Sequence, residues 1–420
     1  MLSFYRILIN FIFLLSPLII IYRIIKNKED KIRFKEKLCF ISKKKSKGKL
    51  IWFHGASVGE LRSIVPLLEK LNHNKNISQI LVTSNTLSSS KIMQKIRLKK
   101  VIHQFFPIDT NFLSNKFLNY WQPSLAIFID SEIWPNTLLN LKKKNIPTAL
   151  INGRITKKTF KKWLYFKSFA KEIFSKINLC LSSSIESKNY LKKLGVNKVK
   201  YYGNLKFSQS ENDKTDFDKN LRKFFNKKKI WCASSTHNGE ELVCGTVHQK
   251  LKKKYQNLIT VIIPRHVDRV NSIKDQLVKL NLKVHMDEPK KRLSEDIDIY
   301  LVNTYGKTKL FYNICKNVFL GGSLIDHGGQ NPLEATRFGC NILHGPSISN
   351  FREIYLFLKK NRVSTQIKDQ LELTKTLNSF FLKKKNSDKI KKKLNLIGKM
   401  ILNKTYKEIN LLNKNEIKKT

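Results

Sequence analysis

The stretch FLGGSLIDHGGQNPLEATRFG at positions 319–339 combines a strand end, a glycine-rich loop and a helix start. Gly321 and Gly322 end a short apolar run, and a second glycine pair follows in the loop. Asn331 and Glu334 open a helix three residues apart, so their side chains share one face. A glycine-rich loop that leads into a helix is a phosphate-binding arrangement, and a carboxylate can accept both hydroxyls of a ribose. Four glycines with two convergent polar residues argue against an ordinary turn.

Along the rest of the chain, short apolar runs that predict strands alternate with stretches of helical periodicity. The runs are LIWFHGAS (50–57), QILVTSN (79–85), SLAIFID (124–130), TALING (148–153), LCLSSS (179–184), KIWCASS (229–235), LITVIIP (258–264), IYLVN (299–303), NVFLGGS (317–323) and NILHGP (341–346). Strands that alternate with helices indicate parallel sheets. We therefore predict an α/β fold of two Rossmann-like, doubly wound lobes, with a ligand cleft at the carboxyl ends of the strands.

The predicted domain bounds follow changes in composition. They are an N-terminal membrane anchor (1–25), a basic juxtamembrane segment (26–49), an N-terminal lobe (50–207), a polar linker (208–228), a C-terminal lobe (229–400) and a basic tail (401–420). We expect the Lys-rich stretch from Lys383 to Thr420 to be helical and solvated. The chain contains neither a Walker A sequence nor a G-x-G-x-x-G fingerprint. The main sequence signatures of P-loop ATPases and of dinucleotide-dependent dehydrogenases are therefore missing, which argues against both classes.

The N-terminus carries an apolar segment without charge from Ile7 to Tyr22, between Arg6 and Arg23. Sixteen residues span roughly 24 Å as a helix, against a hydrocarbon core of about 30 Å, so the segment is a short span or a deep monotopic anchor. A polybasic stretch from Lys26 to Lys49 follows, which favours a cytoplasmic location on anionic lipid. The alternative is a buried N-terminal helix of a soluble protein.

The chain is strongly basic, with 81 Lys and Arg against 31 Asp and Glu and a net charge of +50. Such a charge fits nucleic acid, an anionic membrane surface or a general Lys-rich composition. No module in which basic and aromatic residues alternate is recognisable, which argues against nucleic acid as a partner. The six cysteines contain no C-x-x-C pair, so we predict neither a zinc site nor a disulfide scaffold.

Acidic residues follow two of the predicted strands in the first lobe. Glu60, in HGASVGE (54–60), lies in the first turn of a helix, where the helix dipole stabilises a carboxylate. The spacing of Ser57 and Glu60 equally fits an ordinary capping box. Glu132 lies in IDSEIWPN (129–136), where acids at a sheet's carboxyl edge indicate a site.

Two basic residues lie at further strand or linker boundaries. Lys206, in GNLKF (203–207), precedes the predicted linker and could meet a phosphate. Arg265, in IIPRHVDR (262–269), directly follows a buried strand, and a fixed guanidinium there suits a phosphate or a cytosine carbonyl. Both positions are candidates for ligand binding.

These motifs, together with NGRIT (152–156), ASSTHNGEE (233–241) and GPSISNF (345–351), resemble those of the Kdo (3-deoxy-D-manno-octulosonic acid) transferases, in the same order. The similarity runs from about position 34 to 351 and beyond. The resemblance implies a GT-B fold with an acceptor-binding first lobe and a CMP-Kdo-binding second lobe. It also implies inverting transfer to a lipid A precursor at the cytoplasmic face of the inner membrane, without an essential metal or cofactor.

The resemblance also assigns roles to individual residues. Glu60 matches the general base, and Glu132 and Lys206 match transition-state stabilisers. Contacts to the CMP-sugar match Pro264, Arg265, Tyr305, Gly306, Lys307, Asn331, Pro332, Leu333 and Glu334. Further acceptor or donor contacts are expected from Ser57, Arg154, His266, Gly321 and Gly322.

The sequence departs from the family pattern in three places. Asn-Thr-Tyr-Gly-Lys at 303–307 stands where Asp-Thr-Met-Gly-Glu is usual, which removes two acids and adds a lysine. Gln330 replaces a common histidine, and Asp130-Ser131 replaces Glu-Thr. The remaining alternatives are a GT-B envelope enzyme that uses a UDP-sugar, an inactive scaffold and, more distantly, a nucleic-acid-binding protein.

Overall fold

The computed structural model describes residues 1–209, 219–287, 294–382 and 387–414. The chain forms two compact units, which we call the first lobe (Met1–Ser210 with Ile397–Thr420) and the second lobe (Glu211–Leu396). Each lobe contains a seven-stranded sheet in which every described strand pair is parallel. The predicted α/β class with two doubly wound, Rossmann-like lobes is therefore confirmed.

The first lobe alternates strands and helices along the chain. Its strands are β1 (Leu50–His54), β2 (Gln79–Ser84), β3 (Val101–Phe105), β4 (Leu125–Ile129), β5 (Thr148–Gly153), β6 (Leu179–Ser182) and β7 (Val199–Tyr201). Its helices before β7 are α1 (Leu2–Ile25), α2 (Val58–Asn72), α3 (Leu87–Lys95), α4 (Asn111–Trp121), α5 (Pro135–Lys143), α6 (Lys157–Leu164), α7 (Lys167–Phe174) and α8 (Ile185–Leu194). A 3₁₀ turn covers Arg33–Leu38 and another covers Leu205–Ser208.

The strand order of the first sheet is β3-β2-β1-β4-β5-β6-β7, so the chain reverses its winding direction between β1 and β4. Strands β1, β2, β4 and β5 are buried along their whole length, as expected for a parallel sheet covered on both faces. At the point of reversal, the connections leaving the two central strands diverge to opposite sides. The carboxyl ends of β1 and β4 are therefore the place where an open α/β sheet accommodates a ligand.

The second lobe repeats the same plan. Its strands are β8 (Lys229–Thr236), β9 (Leu258–Pro264), β10 (Val284–Met286), β11 (Ile299–Leu301), β12 (Asn317–Leu320), β13 (Asn341–His344) and β14 (Ser364–Gln366). Its helices are α9 (Lys219–Asn226), α10 (Glu240–Lys252), α11 (Val270–Val278), α12 (Thr308–Ile314), α13 (Leu333–Arg337), α14 (Arg352–Lys360) and α15 (Gln370–Leu382). The sheet order is β10-β11-β9-β8-β12-β13-β14, with the reversal between β8 and β12.

Four of the observed strands, β3, β7, β10 and β14, are absent from the predicted set. Three of them are only three residues long, and β3 (Val-Ile-His-Gln-Phe) contains two adjacent polar residues, so none forms a continuous apolar run. The predicted linker at 208–228 also contains helix α9, whose Phe225 is buried in the core of the second lobe. Positions 210–218 of that linker lie outside the described residues.

The last helix, α16 (Ser387–Lys414), contradicts the predicted solvated tail at 401–420 over its described part. Its residues from Ile397 onward belong to the first lobe, not to a lobe ending at position 400. Ile401 and Ile409 are buried in the core that also contains Leu61 and Leu205, so one apolar stripe of the Lys-rich helix is buried. The abundance of lysine on the other faces hid this stripe in the sequence.

Candidate active site

Glu60 lies at the carboxyl end of β1, in the first turn of α2. Ser57 caps the helix, and its hydroxyl accepts a hydrogen bond from the Glu60 N–H at 3.3 Å. The carboxylate in turn accepts a hydrogen bond from the Ser57 hydroxyl at 2.7 Å and one from the Ala56 N–H at 2.7 Å. The capping role and the candidate catalytic role therefore apply to the same side chain, and the cap fixes where the carboxylate lies.

Burial raises the pKa of Glu60 to about 7. This pKa already includes a smaller rise from the negative charges of Asp130 and Glu132 and a lowering by the hydrogen bonds from Ser57 and Ala56. Three carboxyl side chains from the ends of β1 and β4 thus interact electrostatically at the point of reversal. A carboxyl group with a pKa near neutral is suited to exchanging a proton at physiological pH.

Glu132 follows β4 and is held by two aromatic side chains. Its Oε2 lies 3.0 Å from Trp134 Nε1, which donates a hydrogen bond, and 3.2 Å from Nε2 of His54. His54 is completely buried at the end of β1, so the pair links the two central strands. This contact orients Glu132 toward the same edge as Glu60.

The ring of His54 is held in turn by Thr83 at the end of β2. Nδ1 of His54 lies 2.9 Å from Thr83 Oγ1, which also accepts a hydrogen bond from Trp52 Nε1 at 2.9 Å. The Thr83 hydroxyl donates a hydrogen bond to the Phe53 carbonyl at 3.3 Å. The ring of His54 is therefore held between Thr83 on one side and Glu132 on the other.

Asp130 is the third carboxylate and adopts a left-handed backbone with φ of 56°. Its side chain accepts a hydrogen bond from Asn152 Nδ2 and lies 3.5 Å from Lys206 Nζ. Asn152 Oδ1 also accepts from the Leu205 N–H at 2.9 Å, which fixes the 3₁₀ turn carrying Lys206. The predicted contact residue Arg154 donates its backbone N–H to the Asp130 carbonyl at 2.9 Å. The positive charge of Lys206 is thus held at the carboxylate cluster.

The second lobe contains a cavity of about 280 Å³ beside the ends of β8, β9 and β12. Its lining combines the Gly-rich stretch with the strand end that carries Arg265. The lining residues are Ser235, Ile263, Pro264, Arg265, Thr304, Tyr305, Gly306, Thr308, Tyr312, Leu320, Gln330, Asn331 and Glu334. A guanidinium, a carboxylate and amides around a partly apolar hollow suit a ligand that carries both phosphate and sugar or base edges.

Six of the nine residues assigned to the CMP-sugar line this cavity, and three do not. Lys307 Nζ forms an ion pair with Asp287 at 2.6 Å. The lysine gained in the altered loop therefore contacts a residue that does not line the cavity. Leu333 is buried in the lobe core, and Pro332 is buried at the start of α13. His266 is exposed, with its ring 5.8 Å from that of His237.

The buried carboxylate of Glu240 holds the glycine-rich segment after β12. Its oxygens accept four backbone hydrogen bonds, from the N–H groups of His237, Gly322, Ser323 and Leu324, at 2.7 to 3.1 Å. A side chain at position 321 would clash, because a Cβ there lies 2.5 Å from the Ser235 carbonyl and 2.7 Å from Glu240. The predicted contact residues Gly321 and Gly322 thus shape the backbone at this point.

Several residues of the site were not singled out from the sequence, although the quoted motifs contain some of them. His54 and Trp134 flank the acids in HGASVGE and IDSEIWPN, and Glu240 lies in ASSTHNGEE. Thr83 carried no signal, because a threonine inside an apolar strand resembles any other core threonine. Within the described ranges, no group of three or more His, Cys, Asp or Glu side chains is arranged to hold a metal ion.

Solved structures that resemble this chain define the class of fold. A glycosyltransferase from Rickettsia africae matches with a TM-score of 0.58 at 14% identity, over 87% of this chain and 99% of that protein. A UDP-GlcNAc 2-epimerase from Neisseria meningitidis also matches with a TM-score of 0.58, at 13% identity, over 86% of this chain and all of the other. At such identities the likeness shows the fold alone, which is the two-lobed GT-B type.

Sequence relatives identify the family. A 3-deoxy-D-manno-octulosonic acid transferase of Rickettsia bellii is 32% identical over 386 residues, which are 90% of this chain and 91% of that protein. The transferase of Haemophilus influenzae is 32% identical over 333 residues, covering 78% and 76%. The family model for 3-deoxy-D-manno-octulosonic-acid transferases matches residues 32–209. The chain therefore belongs to the Kdo transferase family of glycosyltransferases, and the resemblance found from its motifs is confirmed.

The role of Glu240 gives a testable prediction. Glu240→Ala leaves four buried N–H groups without their acceptor, each costing about 1–3 kcal/mol. We expect backbone amide exchange at 322–324 to accelerate at least about 100-fold, since about 1.4 kcal/mol corresponds to a factor of ten. Hydrogen-exchange mass spectrometry of the folded protein measures this directly.

The matched control is Glu372→Ala, which removes a carboxylate that accepts the Lys368 N–H at an exposed helix start in the same lobe. That variant should leave exchange at 322–324 unchanged. Unchanged exchange in Glu240→Ala would show that the glycine-rich segment is held by other contacts.

Proposed function

We propose that this protein transfers Kdo from CMP-Kdo to the lipid A precursor lipid IVA, with inversion at the anomeric carbon. The observation that supports this most is Glu60, a carboxyl with a pKa of about 7 at the reversal point of the first sheet, in a chain of the Kdo transferase family. An acceptor hydroxyl must lose a proton as it attacks, and a base with a pKa near the working pH suits that step.

In the proposed reaction, Glu60 removes the proton of the acceptor hydroxyl while the oxygen forms a bond to the anomeric carbon of Kdo. The bond from that carbon to the CMP phosphate oxygen breaks, and CMP leaves with the electron pair. One displacement from the opposite face inverts the configuration. The transition state has oxocarbenium character, as in glycoside hydrolysis.

The other two candidate catalytic side chains are proposed to stabilise that transition state. Lys206 supplies a positive charge, and its place beside Asp130 is set by the contacts of Asn152. Glu132 supplies a carboxylate that His54 and Trp134 hold in one orientation. Groups whose positions are fixed before the reaction stabilise developing charge without a cost of reorganisation.

We propose that the cavity of the second lobe binds CMP-Kdo. Arg265 is the donor best suited to the phosphate or the cytosine carbonyl, because a guanidinium presents several N–H groups in one plane. Glu334 and Asn331 lie in the same lining and offer acceptors for the ribose hydroxyls. We further propose that the positive charge of Arg265 and the helix N-terminus near Asn331 stabilise the leaving phosphate without a bound metal, so that chelation with EDTA leaves the rate unchanged.

The proposed location is the cytoplasmic face of the bacterial inner membrane. Helix α1 has the length and apolar composition of a membrane helix, with a mean hydropathy of 2.3 over its most apolar window. Lysines and arginines follow it from Lys26 to Lys49, where they can bind anionic lipid. The acceptor is itself an anionic lipid, so attachment at this face brings enzyme and acceptor to one surface.

The transfer itself is tested by incubating the purified protein with CMP-Kdo and lipid IVA and weighing the lipid product. We expect the lipid to gain one or more Kdo masses with one CMP released for each. Glu60→Gln should lower the rate about 10²- to 10⁴-fold, the range for loss of a positioned base. An equally rapid transfer from a UDP-sugar, with none from CMP-Kdo, would overturn the proposed donor.

The pH dependence of kcat/KM should show the titration of Glu60. The carboxylate is the active form, so activity is complete above the raised pKa and is lost as pH falls through about 7. Below that point we expect roughly a tenfold loss for each pH unit, and no such limb in the residual activity of Glu60→Gln. An acid limb near pH 4.5, the ordinary value for a glutamate, would contradict a buried base.

A further inference from the structure

The face of helix α1 that points away from the lobe is apolar along its whole length. Phe4, Ile7, Phe11, Leu14, Leu18, Tyr22 and Ile25 recur at three- or four-residue intervals and have exposed fractions from 57% to 74%. They form a continuous stripe about 32 Å long, at 1.5 Å for each residue. We call these seven residues the outer stripe. An exposed apolar surface of this length requires a partner.

The opposite face of α1 contains most of its polar side chains and packs against the first lobe. Ser16 and Ile20 are buried there, and Tyr5 and Arg6 are half-buried on the same side. A helix surrounded by lipid on all sides would have no reason to segregate its polar groups in this way. The division into an inner and an outer face instead fits a helix that lies between a protein and a lipid surface.

The N-terminal end of α1 is bonded to the loops at the carboxyl edge of the first sheet. The Tyr5 hydroxyl donates to Asp109 at 2.8 Å, and Arg6 Nε donates to Asn136 at 3.0 Å. Asp109 is buried and also accepts the N–H groups of Asn136 and Thr137 at the start of α5. Helix α5 begins directly after the segment that carries Glu132, so this end of α1 is fixed near the candidate site.

The C-terminal end of α1 is bonded to the same lobe. Arg23 Nε donates to Glu29 at 3.0 Å, and the buried Glu29 carboxylate also binds Lys37 at 2.5 Å. The carbonyl of Lys37 accepts the Ile108 N–H at 3.0 Å, one residue before Asp109. The C-terminal end of α1 is therefore linked, through Glu29 and Lys37, to the loop that follows β3.

A spanning arrangement is incompatible with these contacts. The axial distance between Tyr5 and Arg23 is about 27 Å, close to the thickness of the hydrocarbon core. If α1 crossed the bilayer with the lobe on the side of Arg23, Tyr5 and Arg6 would lie on the far side, away from Asp109 and Asn136. The contacts require the whole helix to lie along the lobe.

We infer that α1 does not cross the membrane but lies in its cytoplasmic surface, docked along the first lobe with its outer stripe inserted among the acyl chains. The inference rests on the proposed membrane location and adds the orientation. It places the carboxyl edge of the sheet, and therefore Glu60 and Glu132, next to the lipid surface in which a lipid acceptor resides. Helix α6 follows β5 at the same edge, and the exposed Leu164, Tyr165 and Phe166 lie at its end among lysines.

The orientation can be tested by labelling Ser3→Cys with a membrane-impermeant maleimide. All six native cysteines are buried, so an exposed cysteine at position 3 is the reactive site in the folded protein. Lys47→Cys, in the exposed basic segment, reports the side of the lobe. We expect both variants to be labelled to the same extent in inside-out vesicles, and neither in intact spheroplasts.

Labelling of Ser3→Cys from the outside of spheroplasts, or in neither preparation, would overturn the inference. This readout does not depend on catalysis. Ser3→Cys could react only in inside-out vesicles while no Kdo transfer is observed. In that case the orientation of α1 would be supported and the proposed function would be wrong.

Insertion of the outer stripe is tested separately by flotation with vesicles of phosphatidylethanolamine and phosphatidylglycerol. Leu14→Glu with Leu18→Glu should abolish flotation of the purified protein. The matched control is Leu371→Glu with Leu382→Glu, which changes two leucines of similar exposure in the second lobe and should float like the wild type. If the stripe variant still floated with the vesicles, the stripe would not be the part that inserts into lipid. If the wild type were a soluble dimer and the variant a monomer, the stripe would have a protein partner instead.

Discussion

The first lobe is organised around three carboxyl groups at one edge of a parallel sheet, with Asp130 buried and Glu60 and Glu132 half-buried. Removing a carboxylate from water favours its protonated form, and neighbouring negative charges increase that effect. As a result, the pKa of Glu60 is raised from 4.5 to about 7. Each of the three has its own partners: Ser57 and the Ala56 N–H for Glu60, Lys206 and Asn152 for Asp130, and His54 and Trp134 for Glu132. These partners come from the ends of β1, β4 and β5 and from the turn after β7, so the sheet must form before the site exists.

Buried carboxylates that accept backbone N–H groups recur outside the site and determine the course of its loops. Asp109 accepts the first N–H groups of α5, and its pKa is raised to about 6 because burial outweighs these hydrogen bonds. Glu240 does the same for the glycine-rich segment of the second lobe. Such contacts are stronger than neutral hydrogen bonds. Because Tyr5 also bonds Asp109, the position of the N-terminal helix is coupled to the start of α5.

The sequence was sufficient to predict the two α/β lobes, since ten of the fourteen strands in the described ranges contain continuous apolar runs. It could not reveal β10 or β14, which are three residues long, or the buried stripe of α16, which lies within a lysine-rich composition. Glu60 and Glu132 could be placed at strand ends, but their partner Thr83 could not. The burial of Glu60 depends on tertiary packing, so its raised pKa was equally invisible. Lys307 was assigned to the nucleotide by its motif position, whereas the structure pairs it with Asp287.

Burial and like charges give Glu60 a near-neutral pKa, and this pKa can be measured without any substrate. Infrared difference spectra of the wild type against Glu60→Gln, recorded across a pH series, isolate the carbonyl band of the protonated Glu60 carboxyl. We expect this band to disappear with a midpoint near pH 7. A midpoint near 4.5 would show that the carboxyl is solvated and ordinary, and would contradict its proposed role as a base poised by its surroundings.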